Sequence, residues 1–487
     1  MTLRIQQLRR LERIPTSQLT RTLLQSTYPR PILSNSRLVH SSSRQNDSVH
    51  SSPPVAAHLL SSANVPPTTP SNPVLCRLPT SNVLRSYLIT LISSSPTLLT
   101  AIFNILKKML DSKSALTNIE RNPILSLLLK STFYAQFCAG ENKGEVHQTA
   151  KVVRDTLGYD GIMLEYGLEV LADEGEAKMP TAAETEKEIE VWKRGMLDSI
   201  EMMREGDFVG LKWSGLGRHA LHLLQTNQPP TPSMMAAITA ACDAAAAKNI
   251  ALLPGAEEEI TNVGLEAWCL DLQKKYNRNG RAIVYTTFQC YLKAVPKRVA
   301  ALLEHAQKEG FTAGVKLVRG AYMRSEPREL IWEAKEGTNK CYDTCTSALL
   351  ARSWNDSVMP PSGPKTPFPS ADIILATHNL ETLKMAQATR QSQLQTSSPE
   401  SLPRVTYIQL LGMADEISQQ LVQSPEKEKD VTAKVVKCMT WGTTTQCLNF
   451  LLRRASENKE AAERTGDTRK AMGSELWRRF KGGLGLN

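Results

Sequence analysis

The chain carries nine cysteines but no CxxC, and their number is odd. A disulfide framework is therefore not expected in so large a chain, which fits a reduced compartment. Cys341 and Cys345 lie four apart on a predicted helix with no His or Cys pair to answer them, so they read as packing. His219 and His222 lack a third ligand, and no metal is expected. Aromatic residues are scarce, 6% of the total, and no basic cluster with stacking partners stands on a predicted folded surface. No nucleic-acid partner is expected. The glycine fingerprint of a dinucleotide fold is missing as well. Residues 214–219 read S-G-L-G-R-H, with His219–Ala220 where the third glycine belongs, and the G-G-L-G run at 482–485 opens no helix.

Acid is nearly absent from the first fifty residues. Eight Arg stand there against Glu12 and Asp47, without a Lys, so this stretch holds +6 of the chain's +10. Rich in Arg, Ser and Leu, residues 1–50 read as a mitochondrial presequence, with a basic amphipathic turn around residue 22. One long stretch, residues 86–106, lacks charge over 21 positions, the length that spans a bilayer. S-S-S-P sits at its centre, however, and Pro96 interrupts a helix. The expected form is two shorter buried helices, with peripheral membrane contact left open.

Residues 51–81 are dominated by Pro, Ser, Thr and Asn and read as a linker with nothing to bury. From 82 to 205 the apolar spacing is helical, as in 116–137 and 182–203, which predicts a mostly α arm. From 206 to 487 the texture changes. Short β-branched and aliphatic runs at 208–214, 249–255, 281–289, 313–322, 372–379, 405–412 and 433–442 alternate with helical segments. An earlier run at 161–171 reads as an eighth strand or a helix. Alternating βα units predict a parallel sheet, and eight of them suit an α/β fold of the (β/α)8 barrel type. An open doubly wound sheet is the alternative.

In a barrel, functional groups gather at the C-terminal ends of the strands. Those ends offer Lys212, Gly255, Gln289, Lys316 with Arg319, Thr377–His378–Asn379, Gln409 and Trp441. The set is cationic and amide-rich, which suits an anionic ligand and excludes the two facing acids of glycoside hydrolysis. Farther on, Arg453 precedes Glu457 by four residues and Arg454 precedes Asn458 by four. Each guanidinium is thus braced along a helix face, as a carboxylate or phosphate clamp requires. Taken alone, this spacing reads more often as a solvated helical salt bridge. His378 alone likewise reads more often as structural. Lys316 within a strand needs a partner for its charge, and a bound anionic cofactor is one candidate.

These residues resemble a family, proline dehydrogenase (proline oxidase) of the mitochondrial eukaryotic type. The resemblance runs from about Gly161 to Asn458, with weaker similarity at 133–141. It rests on V-Y-T-T-F-Q-C-Y-L-K (284–293), K-L-V-R-G-A-Y-M (316–323), A-T-H-N (376–379), Q-L-L-G-M (409–413) and L-R-R-A-S-E-N (452–458). It implies a distorted (β/α)8 barrel holding FAD. It also implies oxidation of L-proline to Δ1-pyrroline-5-carboxylate by hydride transfer to flavin N5, the first step of proline catabolism. Electrons would pass to a membrane quinone, on the matrix side of the mitochondrial inner membrane. By the same resemblance Arg453 and Arg454 grip the substrate carboxylate, with Glu457 in their network. Lys212 and Tyr322 join the pocket, Leu410 is a wall, and Glu169 gates the empty site. Thr286, Lys316, Val318, Arg319, Gly320, Ala321, Thr377, His378 and Asn379 are expected around the flavin.

Three positions depart from the family pattern. Gly255–Ala256–Glu257 stands where D-A-E is usual, Cys438 replaces a substrate-facing Tyr, and Thr286 replaces an amide. The first two changes widen the pocket and make it more positive. They motivate two alternatives: a shifted substrate such as hydroxyproline, or a non-catalytic relative that binds flavin or proline.

Overall fold

The computed structural model describes residues 73–485 except 111, 113, 115, 120, 169–178, 425, 426, 428 and 458–461, and the side chains of 96, 454–457 and 462–465 also lie outside the description. The expected presequence and most of the expected linker fall in the undescribed residues 1–72. Short aliphatic and β-branched runs form nine strands, β1 (Cys138–Gly140), β2 (Gly161–Tyr166), β3 (Phe208–Leu211), β4 (Ala251–Pro254), β5 (Thr286–Gln289), β6 (Ala313–Val318), β7 (Ala371–Ala376), β8 (Val405–Leu410) and β9 (Ala433–Trp441). Eight of them lie in the order β4-β3-β2-β9-β8-β7-β6-β5, with β1 beside β9 off that path. A parallel bridge between Leu252 and Val284 joins its two ends. There Leu252 N donates to Ile283 O at 2.6 Å, and Tyr285 N donates to Leu252 O at 3.1 Å. The sheet closes into a barrel whose β4–β5 seam is thin, which is its distortion.

The open choice at 161–171 resolves as a strand, since β2 pairs with both β9 and β3. The barrel therefore opens at Gly161 rather than at 206. The helix Ala182–Met202, read from sequence as part of the arm, is the barrel helix between β2 and β3. Thr181 and Glu184 start it with a capping box, and it buries Ile189, Trp192, Met196 and Ile200. Strand residues on both faces are apolar because the sheet is covered on the outside and filled on the inside. Met163, Phe208, Leu253, Tyr285, Ile374, Ile408 and Cys438 belong to the enclosed inner cluster. Their alternating neighbours Ile162, Val209, Val315, Leu375, Tyr407 and Val435 pack in the larger core under the helices.

The N-terminal end of the barrel is fastened by carboxylates. Asp207 accepts from Ile162 N at 3.0 Å and Arg204 N at 2.9 Å and pairs with Arg154. Asp160 accepts from Val435 N at 2.7 Å, and Asp372 from Ala282 N at 2.9 Å. Each satisfies a backbone donor in or just ahead of a strand.

Ahead of the barrel, helices Thr80–Ser93 and Pro96–Leu110 divide at Pro96 as the sequence predicts, but they are not the buried pair expected, since Leu84, Leu88, Leu91, Leu98 and Ile105 are exposed. No single described helix is long and apolar enough to cross a membrane; these two meet that test only as a pair, bent by 105°. The linker read over 51–81 ends early. Leu75 and Leu78 are buried, and Arg479 holds both carbonyls, at 2.9 and 2.7 Å.

Candidate active site

Period-two alternation decides which side chains enter the barrel mouth. Carried upward from the inner cluster, it points Lys316 inward on β6. Lys316 is 8% exposed, between its register partners Thr287 and Ile374. Leu410 and Cys438 are register partners on β8 and β9 and form one stretch of inner wall. Beyond β3, the Lys212 ammonium lies 4.1 Å from the centroid of the Phe450 ring, a contact that stabilises by about 0.5–2 kcal/mol.

Phe450 sits on the helix Thr444–Glu457, which also carries Arg453 and Arg454. Its Leu448 and Leu452 pack with Leu106, Ile119 and Leu129 of the arm, and its Cys447 packs with Tyr134 and Cys138. Glu141 fastens its first turn, accepting from Thr444 N at 2.8 Å while pairing with Lys130. Burial would raise the Glu141 pKa, but hydrogen bonds from Lys130 and Thr444 hold it below its usual value. The arm thus presses the arginine helix against the mouth. Arg453 Nη1 donates to Tyr322 Oη at 3.3 Å, and Tyr322 Oη donates to Glu257 Oε2 at 2.5 Å. The ends of β4 and β6 and the closing helix converge at this point.

The turns after β6 and β7 form a second group. Arg319 donates to Asn339 Oδ1 at 2.9 Å, Thr377 Oγ1 at 2.6 Å and Thr382 Oγ1 at 2.9 Å, with its guanidinium 4.6 Å from the Tyr342 ring centroid. It therefore braces the 377–382 segment from outside. Thr377 Oγ1 also accepts from Asn379 N, and Asn379 caps the helix Leu380–Thr396 through Thr382 N, each at 3.0 Å. Leu410 N donates to His378 Nε2 at 3.1 Å, which leaves the proton of the neutral imidazole on Nδ1. Gly320 has φ +129°, and a Cβ there would lie 1.5 Å from the Tyr291 ring, so only glycine fits. Ala321 N donates to Gln289 Oε1 at 3.1 Å. Val318 ends β6 on the inner face.

Thr286 requires correction. Its hydroxyl accepts from Gln273 Nε2 at 2.8 Å, on the helix Glu259–Tyr276, so it faces the helix layer. Alternation gives the inner face of β5 to Thr287 and Gln289 instead. Glu169 lies outside the described residues. Arg454 and Glu457 are placed by their backbone on the arginine helix, and their side chains lie outside the description. Sequence reasoning passed over three contributors: Glu257, Phe450, and Glu165 on the inner face of β2, whose side chain lies across Gly210. A carboxylate three residues past a strand end was the available signal for Glu257. Nothing local marked Phe450.

The donor set fits an anionic, phosphate-bearing cofactor. An enclosed Lys316, the Nδ1–H of His378 and a helix start at Leu380 lie on adjoining strand ends. The turns 319–323 and 377–380 contain no carboxylate.

The chain matches the family model described as "Proline dehydrogenase" over residues 161–467. A Schizosaccharomyces pombe protein named "Probable proline dehydrogenase, mitochondrial" is 33% identical over 247 residues, 49% of this chain and 48% of that one. "Proline dehydrogenase 1, mitochondrial" of Arabidopsis thaliana is 26% identical over 421 residues, 77% of this chain and 80% of that one. Among solved structures, proline utilization A from Bdellovibrio bacteriovorus inactivated by N-propargylglycine superposes with a TM-score of 0.57 at 16% identity. That match covers 79% of this chain and 41% of that one and is a likeness of fold. The matched part spans about half the length of the fission yeast relative.

Proposed function

The chain belongs to the proline dehydrogenase family, and on that footing we propose that it oxidises L-proline to Δ1-pyrroline-5-carboxylate with FAD at the barrel mouth. The observation that carries the reading is the meeting of Arg453, Tyr322 and Glu257 at the end of the barrel where Lys212 and Lys316 also lie. Cations converging there suit a small anionic substrate beside an anionic cofactor. Lys316, Val318, Ala321, His378 and Asn379 are the residues that would hold FAD, with Arg319 and Thr377 shaping their turns. The chemistry FAD supplies when bound is two-electron oxidation of a C–H bond next to an amine.

The chain's own part is orientation. Arg453 and its neighbour Arg454 grip the proline carboxylate, a planar two-pronged match that a lysine lacks. Glu457 lies one turn on along the same helix. Lys212, steadied on Phe450, adds a third positive charge. Leu410 and Cys438 hold the ring, so its reacting carbon has one approach. Lys316 places a fixed positive charge where negative charge develops.

Anaerobic addition of L-proline to the purified, FAD-loaded protein is expected to bleach its yellow colour. A colour unchanged by proline would point to the alternative of a non-catalytic relative. A second reading, hydroxyproline as substrate, draws on Cys438, a smaller side chain than an aromatic ring at the position beside Leu410.

The names of the relatives and the Arg-rich first fifty residues support a mitochondrial site, and we propose the matrix side of the inner membrane. Electrons passing on to a membrane quinone need the protein near a bilayer. Leu116, Ile124 and Leu127, 79%, 76% and 69% exposed on the arm, support peripheral contact there. Replacing Ile124 and Leu127 together with Glu is expected to release the protein from sedimenting anionic vesicles while proline still bleaches the flavin. Unchanged sedimentation would remove the arm from that role.

A further inference from the structure

We propose that Glu257 is a positioning residue for the carboxylate grip, acting through Tyr322 on Arg453. The inference rests on the proline-oxidising reading and deepens it. Glu257 follows β4 by three residues, in the segment where Gly255 leaves no carboxylate of its own. Its backbone is locked from two sides. The N–H donates to Asn262 Oδ1 at 2.9 Å, and the carbonyl accepts from Asn262 Nδ2 at 2.8 Å and from Gln289 Nε2 at 2.7 Å. Asn262 is buried, so this bracket stays fixed.

From that anchor the side chain crosses to the turn after β6 and accepts the Tyr322 hydroxyl proton at 2.5 Å. A phenol has a single proton to give. Once it is given to Glu257, only lone pairs remain to face Arg453, whose Nη1 donates to the same oxygen at 3.3 Å. The hydrogen bonds therefore run in one direction, from guanidinium to phenol to carboxylate. Without Glu257 the hydroxyl rotates freely and can turn its proton toward the guanidinium, which repels it. Glu257 also supplies negative charge behind Tyr322, in a mouth that holds Lys212, Lys316 and Arg453. It steadies Arg453 against its like-charged neighbours without touching substrate.

The test compares L-proline with pyrrolidine, the same ring without the carboxylate, in the full FAD-loaded chain. Variants are Glu257→Ala, Glu257→Gln, Tyr322→Phe and the Glu257→Ala/Tyr322→Phe double. Glu257→Ala is expected to raise KM for proline about tenfold, the scale of one charge-assisted hydrogen bond, with kcat little changed and pyrrolidine turnover unaffected. Glu257→Gln keeps an oxygen for the phenol and is expected to retain most of the affinity. The double variant should be no worse than Tyr322→Phe alone, because the two residues act as one unit. Losses that add, or an equal loss toward pyrrolidine, would overturn the inference while the proposed reaction stands. Wild-type protein that oxidises neither compound would overturn both.

Discussion

Lys437 and Cys438 are neighbours in sequence with opposite fates. Lys437 turns into the helix layer and is fully enclosed, 2.8 Å from Asp415, and donates to the carbonyls of Leu410 and Met413 at 3.2 and 3.1 Å. Burial would lower its pKa, but Asp415 holds it above the usual lysine value. Cys438 turns inward beside Leu410. Here the sequence pattern was legible, since the resemblance already placed residue 438 on the substrate side. Thr286 was misplaced by one step because β5 is apolar or neutral on both faces, which removes the polar-out signal that would fix its phase. Cys438→Tyr is expected to shift the ratio of turnover toward proline and away from 4-hydroxyproline, by on the order of tenfold. Equal ratios before and after would show that Cys438 does not set the choice of ring.

Among the elements, the helix Thr444–Glu457 depends most on its surroundings. Its own sequence announced the paired arginines but not what holds them, because the support comes from some three hundred residues earlier. Glu141, Leu106, Ile119 and Leu129 reach it only in three dimensions. Such contacts leave no periodic trace near residue 453, which is why the arm read simply as helical. Glu141 caps the first turn with a charge matched to the helix dipole, a contribution of about 1 kcal/mol. Its carboxyl titrates below the usual 4.5. A lowered folded value means that the fastening is complete above that pH and is lost as pH falls through the folded value. KM for proline should therefore be flat above about pH 5 and rise in stronger acid. Glu141→Gln should show the raised KM already at pH 7, with the acid-side rise abolished. An unchanged KM at pH 7 in that variant would separate the arm from substrate binding.

At the scale of the whole molecule, the two ends of the barrel use charge differently. Asp160, Asp207 and Asp372 close the N-terminal end, while Lys212, Lys316 and Arg453 stand at the other. Seven of the eight barrel strands, the split at Pro96 and the cationic mouth were readable from residue pattern, while 161–171 stayed open between strand and helix. The start of the barrel at Gly161 was not, because β2 lies ahead of a long helix that shares the arm's spacing. The account turns on the carboxylate of the substrate being the feature these cations recognise. The most direct measurement is kcat/KM of the wild-type protein for L-proline against pyrrolidine under anaerobic flavin reduction. The grip predicts that pyrrolidine is worse by about a hundredfold or more, the loss of paired hydrogen bonds to charged groups. Comparable values for the two rings would contradict it.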